Sequence, residues 1–335
     1  MQHLLLRSLR GAVLAALMLV GAAMPAGASD DRAHLFANKM ARGINILGYD
    51  GIWDGGTDAP FRLGHLRLIR KAGFSHVRIN LFAFKYMDAA MAVSPAVLGS
   101  LDIVINRAIA SGLTPVLDEH DGDACEQDII ACRQKLVTFW RAMALRYRDI
   151  RELAFEILNE PSGKMTHEEW FGIMQAALQA IREVDRDRIV IIAALNTDDP
   201  QAMKAVPLPP DDRNIVLTVH YYKPFEFTHQ RAPWIPDRNQ AAMSWGSPAD
   251  LQSLEADFAA ISRWAGDRPI YLGEFGVYDR AALRDRVSYL SAVTRAAERH
   301  GWAWASWQFD HDFAIFDTDR QRWNRALLKA LIPAR

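Results

Sequence analysis

The sequence predicts an α/β fold: a single (β/α)8 barrel of the TIM type, preceded by a cleavable signal peptide. Three observations point there. Eight apolar, strand-like runs recur along the chain, amphipathic stretches separate them, and no low-complexity linker divides the 335 residues. Strands alternating with helical patterns call for βαβ units, and eight such units in about 300 residues suit a closed barrel. An open doubly wound sheet is the alternative, but no G-x-G-x-x-G follows the first strand to support it.

The elements follow in chain order. Arg7 and Arg10 make a basic start, Gly11 to Ala28 carries no charge, and Ala26-Gly27-Ala28 closes it as an A-x-A-type cleavage site. Residues 1–28 are therefore read as a signal peptide and residues 29–335 as one barrel domain. The apolar core from Ala12 to Val20 is short for a membrane span, so an uncleaved anchor is the rival reading. No later run is long and apolar enough to span a bilayer. The strand candidates are Met40–Ile46, His76–Leu81, Thr114–Asp118, Leu153–Leu158, Ile189–Leu195, Ile215–His220, Ile270–Gly273 and Ala303–Trp307. They are rich in Val, Ile, Leu and Phe without strict alternation, as expected for parallel strands covered on both faces. The helical stretches are Leu63–Ile69, Ile103–Ile109, Lys135–Tyr147, Met174–Val184, Leu251–Trp264, Ala281–Ala297 and Trp323–Ile332.

Composition narrows the function. Half the residues are hydrophobic and 24% are charged, which excludes a disordered or collagen-like chain. Loss of residues 1–28 removes two arginines and no acid, leaving 37 basic against 40 acidic residues and a net charge of −3. Nothing in that balance favours a nucleic-acid partner. The ten Trp, eight Tyr and fifteen Phe must be core or a stacking surface for a flat ligand. Cys125 and Cys132 stand seven positions apart. Export to an oxidising compartment favours a disulfide over two free thiols, and either way the pair is structural. No H-E-x-x-H or comparable ligand set appears, so neither a metal nor another cofactor is expected.

In a barrel of this kind, reactive groups gather where strands end. Arg78 and Asn80 fall in the second run, Asp118-Glu119-His120-Asp121 close the third, and Asn159-Glu160-Pro161 close the fourth. His220-Tyr221-Tyr222 end the sixth, Glu274 the seventh, and Trp307-Gln308 the eighth. Singly, Glu160 could be a helix N-terminal acid before Pro161, and Glu274 a turn acid. Together, at matched strand ends, two carboxylates suit glycoside hydrolysis, which needs a proton donor and a second carboxylate across the sugar ring.

These residues carry a resemblance. Val77-Arg78-Ile79-Asn80, Leu158-Asn159-Glu160-Pro161, Val219-His220-Tyr221-Tyr222 and Tyr271-Leu272-Gly273-Glu274-Phe275-Gly276 resemble family 5 glycoside hydrolases, the endoglucanase and mannanase family. His220 to Trp234 and Trp304 to Ile332 resemble bacterial cellulase–mannanase members especially, and the likeness runs from about Ala41 to Ile332. It implies that Glu160 is the general acid/base and Glu274 the nucleophile of a retaining enzyme. Glu160 is then expected to be protonated at rest, its pKa raised by Glu274, while Arg78 and Tyr222 keep Glu274 ionised. The resemblance assigns Asn159 to the sugar 2-hydroxyl, His120 and His220 to orienting hydroxyls and carboxylates, and Trp307 to the aromatic floor. His229 and Trp234, in the long loop after the sixth strand, would line neighbouring subsites. Trp53, Trp245 and Phe82 are as readily packing residues.

Three positions depart from the pattern. The first strand reads Gly43-Ile44-Asn45 without the acid that usually follows, Asp121 follows His120 where relatives carry a second His, and Gln308 replaces Glu after Trp307. They leave the reaction type intact and bear on the preferred sugar. The expected activity is an exported, monomeric endo-β-glycosidase of β-1,4-glucan, periplasmic or secreted, without membrane association once the signal is removed. Its partner is a β-linked oligo- or polysaccharide. The alternatives are a β-mannanase and a periplasmic enzyme trimming exopolysaccharide; a binding barrel that has lost catalysis would have replaced a carboxylate.

Overall fold

The structure, a computed structural model, describes residues 32–333 except 49, 55–58, 164, 197–202, 204–205 and 236–241. Residues 1–28, read from the sequence as a signal peptide, lie outside the described residues. Helix α1 (Arg32–Met40) precedes eight strands, β1 (Arg42–Ile46), β2 (His76–Leu81), β3 (Thr114–Glu119), β4 (Ala154–Glu156), β5 (Val190–Ala193), β6 (Ile215–Tyr221), β7 (Ile270–Phe275) and β8 (Ala303–Ser306). They form a closed barrel in chain order, all parallel, with β1 pairing both β2 and β8. Every residue of β2, β3, β6 and β7 is buried, which is why their sequences show no alternation.

Outside the barrel lie α2 (His65–Lys71), α3 (Pro95–Ala110), α4 (Gly122–Gln127), α5 (Ile129–Arg146), α6 (His167–Arg182), α7 (Phe225–Thr228), α8 (Pro248–Ala265), α9 (Leu283–Arg299) and α10 (Arg325–Leu331). The alternation of strand and helix breaks once: among the described residues no helix lies between β5 and β6. That segment contains Pro207, Pro209 and Pro210, and a helix interior tolerates proline poorly because it loses a hydrogen bond and clashes with the preceding turn. The last helix also begins later than its apolar pattern implies. Trp323 belongs to β10 (Arg322–Trp323), which pairs antiparallel with β9 (Phe316–Asp317), and Asn324 then caps α10 by accepting from the Leu327 amide at 3.3 Å.

Two packing layers hold the barrel. Val116, Ala154, Ile191, Val216, Tyr271, Ala303 and Ala305 fill its interior and meet Ala33, Phe36 and Met40 of α1, which closes the end where the strands begin. Between strands and helices sit Trp140, Trp170 and Trp304, each fully buried. The indoles of Trp140 and Trp170 donate to the Ile157 and Ala193 carbonyls at 2.9 and 3.0 Å, so their polar edges are satisfied. Trp53 and Trp245 are core residues too, the latter edge-on to Tyr289. Cys125 and Cys132 form a disulfide from α4 to the first turn of α5, with Cα atoms 4.8 Å apart.

One irregularity aims the barrel's chemistry. Between β6 and β7 the register slips, so Val219 faces Leu272 but His220 faces Glu274, with Gly273 bulged between. A bulge re-aims the side chains beside it, and here it sets an imidazole opposite a carboxylate.

Candidate active site

Arg78 is the hub of the strand ends. Its side chain is fully buried, and all five N–H groups have acceptors. Nε and Nη2 hold Glu156 at 2.7 and 3.0 Å; Nη2 also reaches Asn159 at 2.9 Å; Nη1 donates to Asn45 at 3.0 Å and to Glu274 at 2.6 Å. Asp118 lies 3.1 Å from Nη2, so three carboxylates surround one guanidinium. Buried charge is tolerable only when paired in this way. Burial pushes Glu156 above the usual carboxylate range despite Arg78, whereas Arg78 and His120 hold Asp118 below it. Asp118 binds His120 Nδ1 at 2.5 Å, and the His120 ring lies parallel to Trp307, with centroids 5.6 Å apart.

Glu160 and Glu274 face each other above this hub. Oxygens of the two carboxylates and a ring nitrogen of His220 all lie within 4.8 Å of one another. Glu274 is buried and accepts from Arg78 and from the Tyr222 hydroxyl at 2.8 Å. Glu160 has a half-buried side chain and a left-handed backbone, φ +41°. His220 Nδ1 lies 2.7 Å from Glu160 and 3.7 Å from Glu274. The expected protonation of Glu160 is corrected here. Burial favours its neutral form, but the hydrogen bond and charge of His220 outweigh it and hold the carboxyl below the ordinary glutamate value. His220 moves the other way: burial opposes its charge, yet Glu274 and Glu160 raise its pKa above 6.5. The pair thus favours an ionised carboxyl beside a charged imidazole, and the two groups titrate together.

These carboxylates open into a cleft of about 540 Å³ lined by His120, Asn159, Glu160, Tyr222, His229, Trp234, Glu274 and Trp307, together with Phe225, His311, Asp312 and Phe313. Eight of the ten residues singled out from the sequence therefore line one cleft, while Arg78 and His220 support it from beneath. Phe225 stacks on His229 at 4.0 Å, and Trp234 stands 49% exposed at the rim, edge-on to Tyr278. Phe82 packs edge-on to His120. Sequence reasoning stopped at Gln308 and so missed His311 to Phe313; the polar run Asp310-His311-Asp312 right after a strand end was the available signal. Asp121 does not line the cleft: its carboxylate accepts from the Phe84 amide at 2.7 Å and ties down the loop after β2.

Glu160, His220 and Glu274 are also the one trio of the described residues close enough to share a metal ion. Their facing atoms are already engaged with one another, with Arg78 and with Tyr222, which suits proton sharing better than an open ligand set.

Against known families, the model for cellulase (glycosyl hydrolase family 5) matches residues 43–312. The chain belongs to glycoside hydrolase family 5. This family 5 enzyme is an O-glycoside hydrolase of the endoglucanase type. Endoglucanase H of Acetivibrio thermocellus is 28% identical over 313 residues, which is 88% of this chain but 33% of that protein, so the chain spans about a third of that relative. Among solved structures, Thermotoga maritima Cel5A in complex with cellobiose matches with a TM-score of 0.83 at 34% identity, over 90% of this chain and 100% of that one. Cel5A in complex with mannotriose gives 0.81 at 33%, again over 90% and 100% of the two chains. The cellulose synthase subunit Z of Clostridioides difficile gives 0.80 at 27%, over 88% of this chain and 100% of that one.

Proposed function

We propose that this family 5 enzyme is a retaining endo-β-glycosidase that cleaves β-1,4-glucan, with Glu274 as nucleophile and Glu160 as general acid/base. The observation that carries the reading is the approach of the two carboxylates to within 4.8 Å. Retaining enzymes keep their carboxyls about 5–5.5 Å apart, close enough for direct attack on the anomeric carbon, whereas inverting enzymes need room for a water between them.

The chemistry follows from the surroundings. Arg78 and Tyr222 each donate a hydrogen bond to the Glu274 carboxylate and hold it fixed. As the sugar enters and removes water from Glu160, burial gains over the His220 charge, and the shared proton moves to Glu160. Glu274 then bonds to the anomeric carbon while the glycosidic carbon–oxygen bond breaks and Glu160 protonates the departing oxygen. In the second step Glu160 takes a proton from water, whose oxygen displaces Glu274. Asn159, held by Arg78, binds the 2-hydroxyl; His120 and His220 orient hydroxyls and carboxylates; Trp307 is the floor, and His229 and Trp234 line neighbouring subsites. The leader at residues 1–28 supports export to the periplasm or outside the cell, and the enzyme acts as a monomer.

The likeness to Cel5A seen with mannotriose and to a cellulose synthase subunit favours a second reading, a β-mannanase or an enzyme trimming nascent exopolysaccharide. A panel of carboxymethylcellulose, mixed-linkage glucan, xyloglucan and mannan separates the readings: fastest release from the β-1,4-glucans, with β-configured first products by NMR, is expected. Activity confined to mannan, or to none of the four, overturns the glucan assignment. Glu274→Gln is expected to lower kcat by about a thousandfold or more while oligosaccharide binding persists; substantial turnover by that variant would refute the nucleophile assignment.

A further inference from the structure

The turn that carries Glu160 is poorly held by the barrel itself. β4 has only three residues, the fewest of the eight strands, and Glu160 follows it in a left-handed conformation that a non-glycine residue adopts only when its surroundings impose it. Helix α4 supplies that constraint from the side. Its first residue, Gly122, lies so close to the turn that a Cβ there would sit 2.7 Å from the Asn159 carbonyl oxygen and 3.4 Å from that of Glu160. One helical turn later, Glu126 accepts a hydrogen bond from Ser162 Oγ at 2.8 Å and covers Gly163, where φ is +73° and a Cβ would fall 2.1 Å from the Glu126 carboxyl carbon. Gly122 and Glu126 share one face of α4, so the helix grips both ends of the turn.

What holds α4 is the disulfide. The helix has six residues, too few to be stable alone, and its one buried side chain is Cys125. Cys125 is bonded to Cys132 in α5, an eighteen-residue helix anchored by Leu136, Phe139, Trp140 and Met143.

We infer that the Cys125–Cys132 disulfide is a positioning device for Glu160: it fastens α4 to α5, and α4 clamps the turn that aims the acid/base carboxyl. The inference rests on the reading of Glu160 as acid/base and assigns Glu126 and the two cysteines as positioning residues.

General-acid assistance matters for a sugar leaving group and little for 2,4-dinitrophenolate, which departs without a proton. The experiment compares kcat/KM for the oligosaccharide the enzyme cleaves best with kcat/KM for 2,4-dinitrophenyl β-cellobioside. It uses the Cys125→Ser/Cys132→Ser double variant, Glu126→Ala and, as reference, Glu160→Ala. The double variant is expected to lose about fivefold to tenfold on the oligosaccharide, a small part of the ~10²–10⁴ that acid–base catalysis supplies, and less than about twofold on the aryl glycoside. Glu126→Ala shows the same split and decides alone if the double variant does not fold. Equal losses on both substrates, or none, while Glu160→Ala shows the split, overturn the clamp and leave the acid/base reading standing. Absence of the split in Glu160→Ala overturns the acid/base reading and the clamp with it.

Discussion

At the scale of single residues, the site divides what it must hold still from what it must move. Arg78 spends all five N–H groups on neighbours, so it fixes geometry, and in the proposed mechanism sugar recognition falls to Asn159, His120 and the aromatic side chains. The mobile charge is the proton shared by Glu160 and His220. Because His220 keeps its proton above pH 6.5, the basic limb of the pH dependence of kcat/KM should lie above 6.5. His220→Asn removes that store and leaves the carboxyl to hold the proton alone, so the basic limb should move to more acid pH. A pH–rate profile checks this, and an unmoved limb would show that the imidazole does not share the acid's proton. The residues legible in the sequence were those at strand ends, where position in the repeat marks them. Asp118 was visible at the close of the third run, but Asn45 and Glu156, which complete the Arg78 network, lie inside strands buried on both faces, where no alternation tells an inward side chain from an outward one.

At the scale of elements, strands read more clearly than their covers. All eight apolar runs contain strands, because the barrel buries nearly every strand residue on both faces. The helices were less legible: α1 and α4 are too short to show a period, and the prolines after β5 interrupt the expected alternation. The cleft's width is set by the loops after β6 and β8. Trp234 stands on the first of these, half exposed and outside the barrel core. Trp234→Ala should therefore raise KM by about fivefold to tenfold, with kcat and thermal stability nearly unchanged, as expected for a contact made equally in ground and transition states. Steady-state kinetics and a melting curve together test it; a fall in kcat alone would place the indole nearer the reacting centre.

For the whole molecule, the end of the barrel opposite the cleft carries its own pH sensitivity. His76 is fully buried between the Met40 carbonyl and the Tyr271 hydroxyl, and burial drops its pKa to about 4. A depressed folded-state pKa means the unfolded chain takes the proton first, so stability present above pH 6.5 drains away as pH falls toward 4. The shift corresponds to roughly 3 kcal/mol, and His229, also lowered to about 4 by burial, acts in the same window. Urea unfolding at pH 7.5, 6 and 5 should show the loss, and His76→Gln should lessen it, leaving the His229 share; equal slopes in both proteins would locate the sensitivity elsewhere.

The plug formed by α1 has a practical corollary. Ala33, Phe36 and Met40 lodge where the strands begin, and Arg32 pairs with Asp187 at 2.8 Å on that same side. Any tether joined at Arg32 is thus attached on the side away from the cleft. Immobilising the enzyme there leaves the mouth turned toward a passing polymer, whereas a graft on the loops after β6 or β8 would stand in its path.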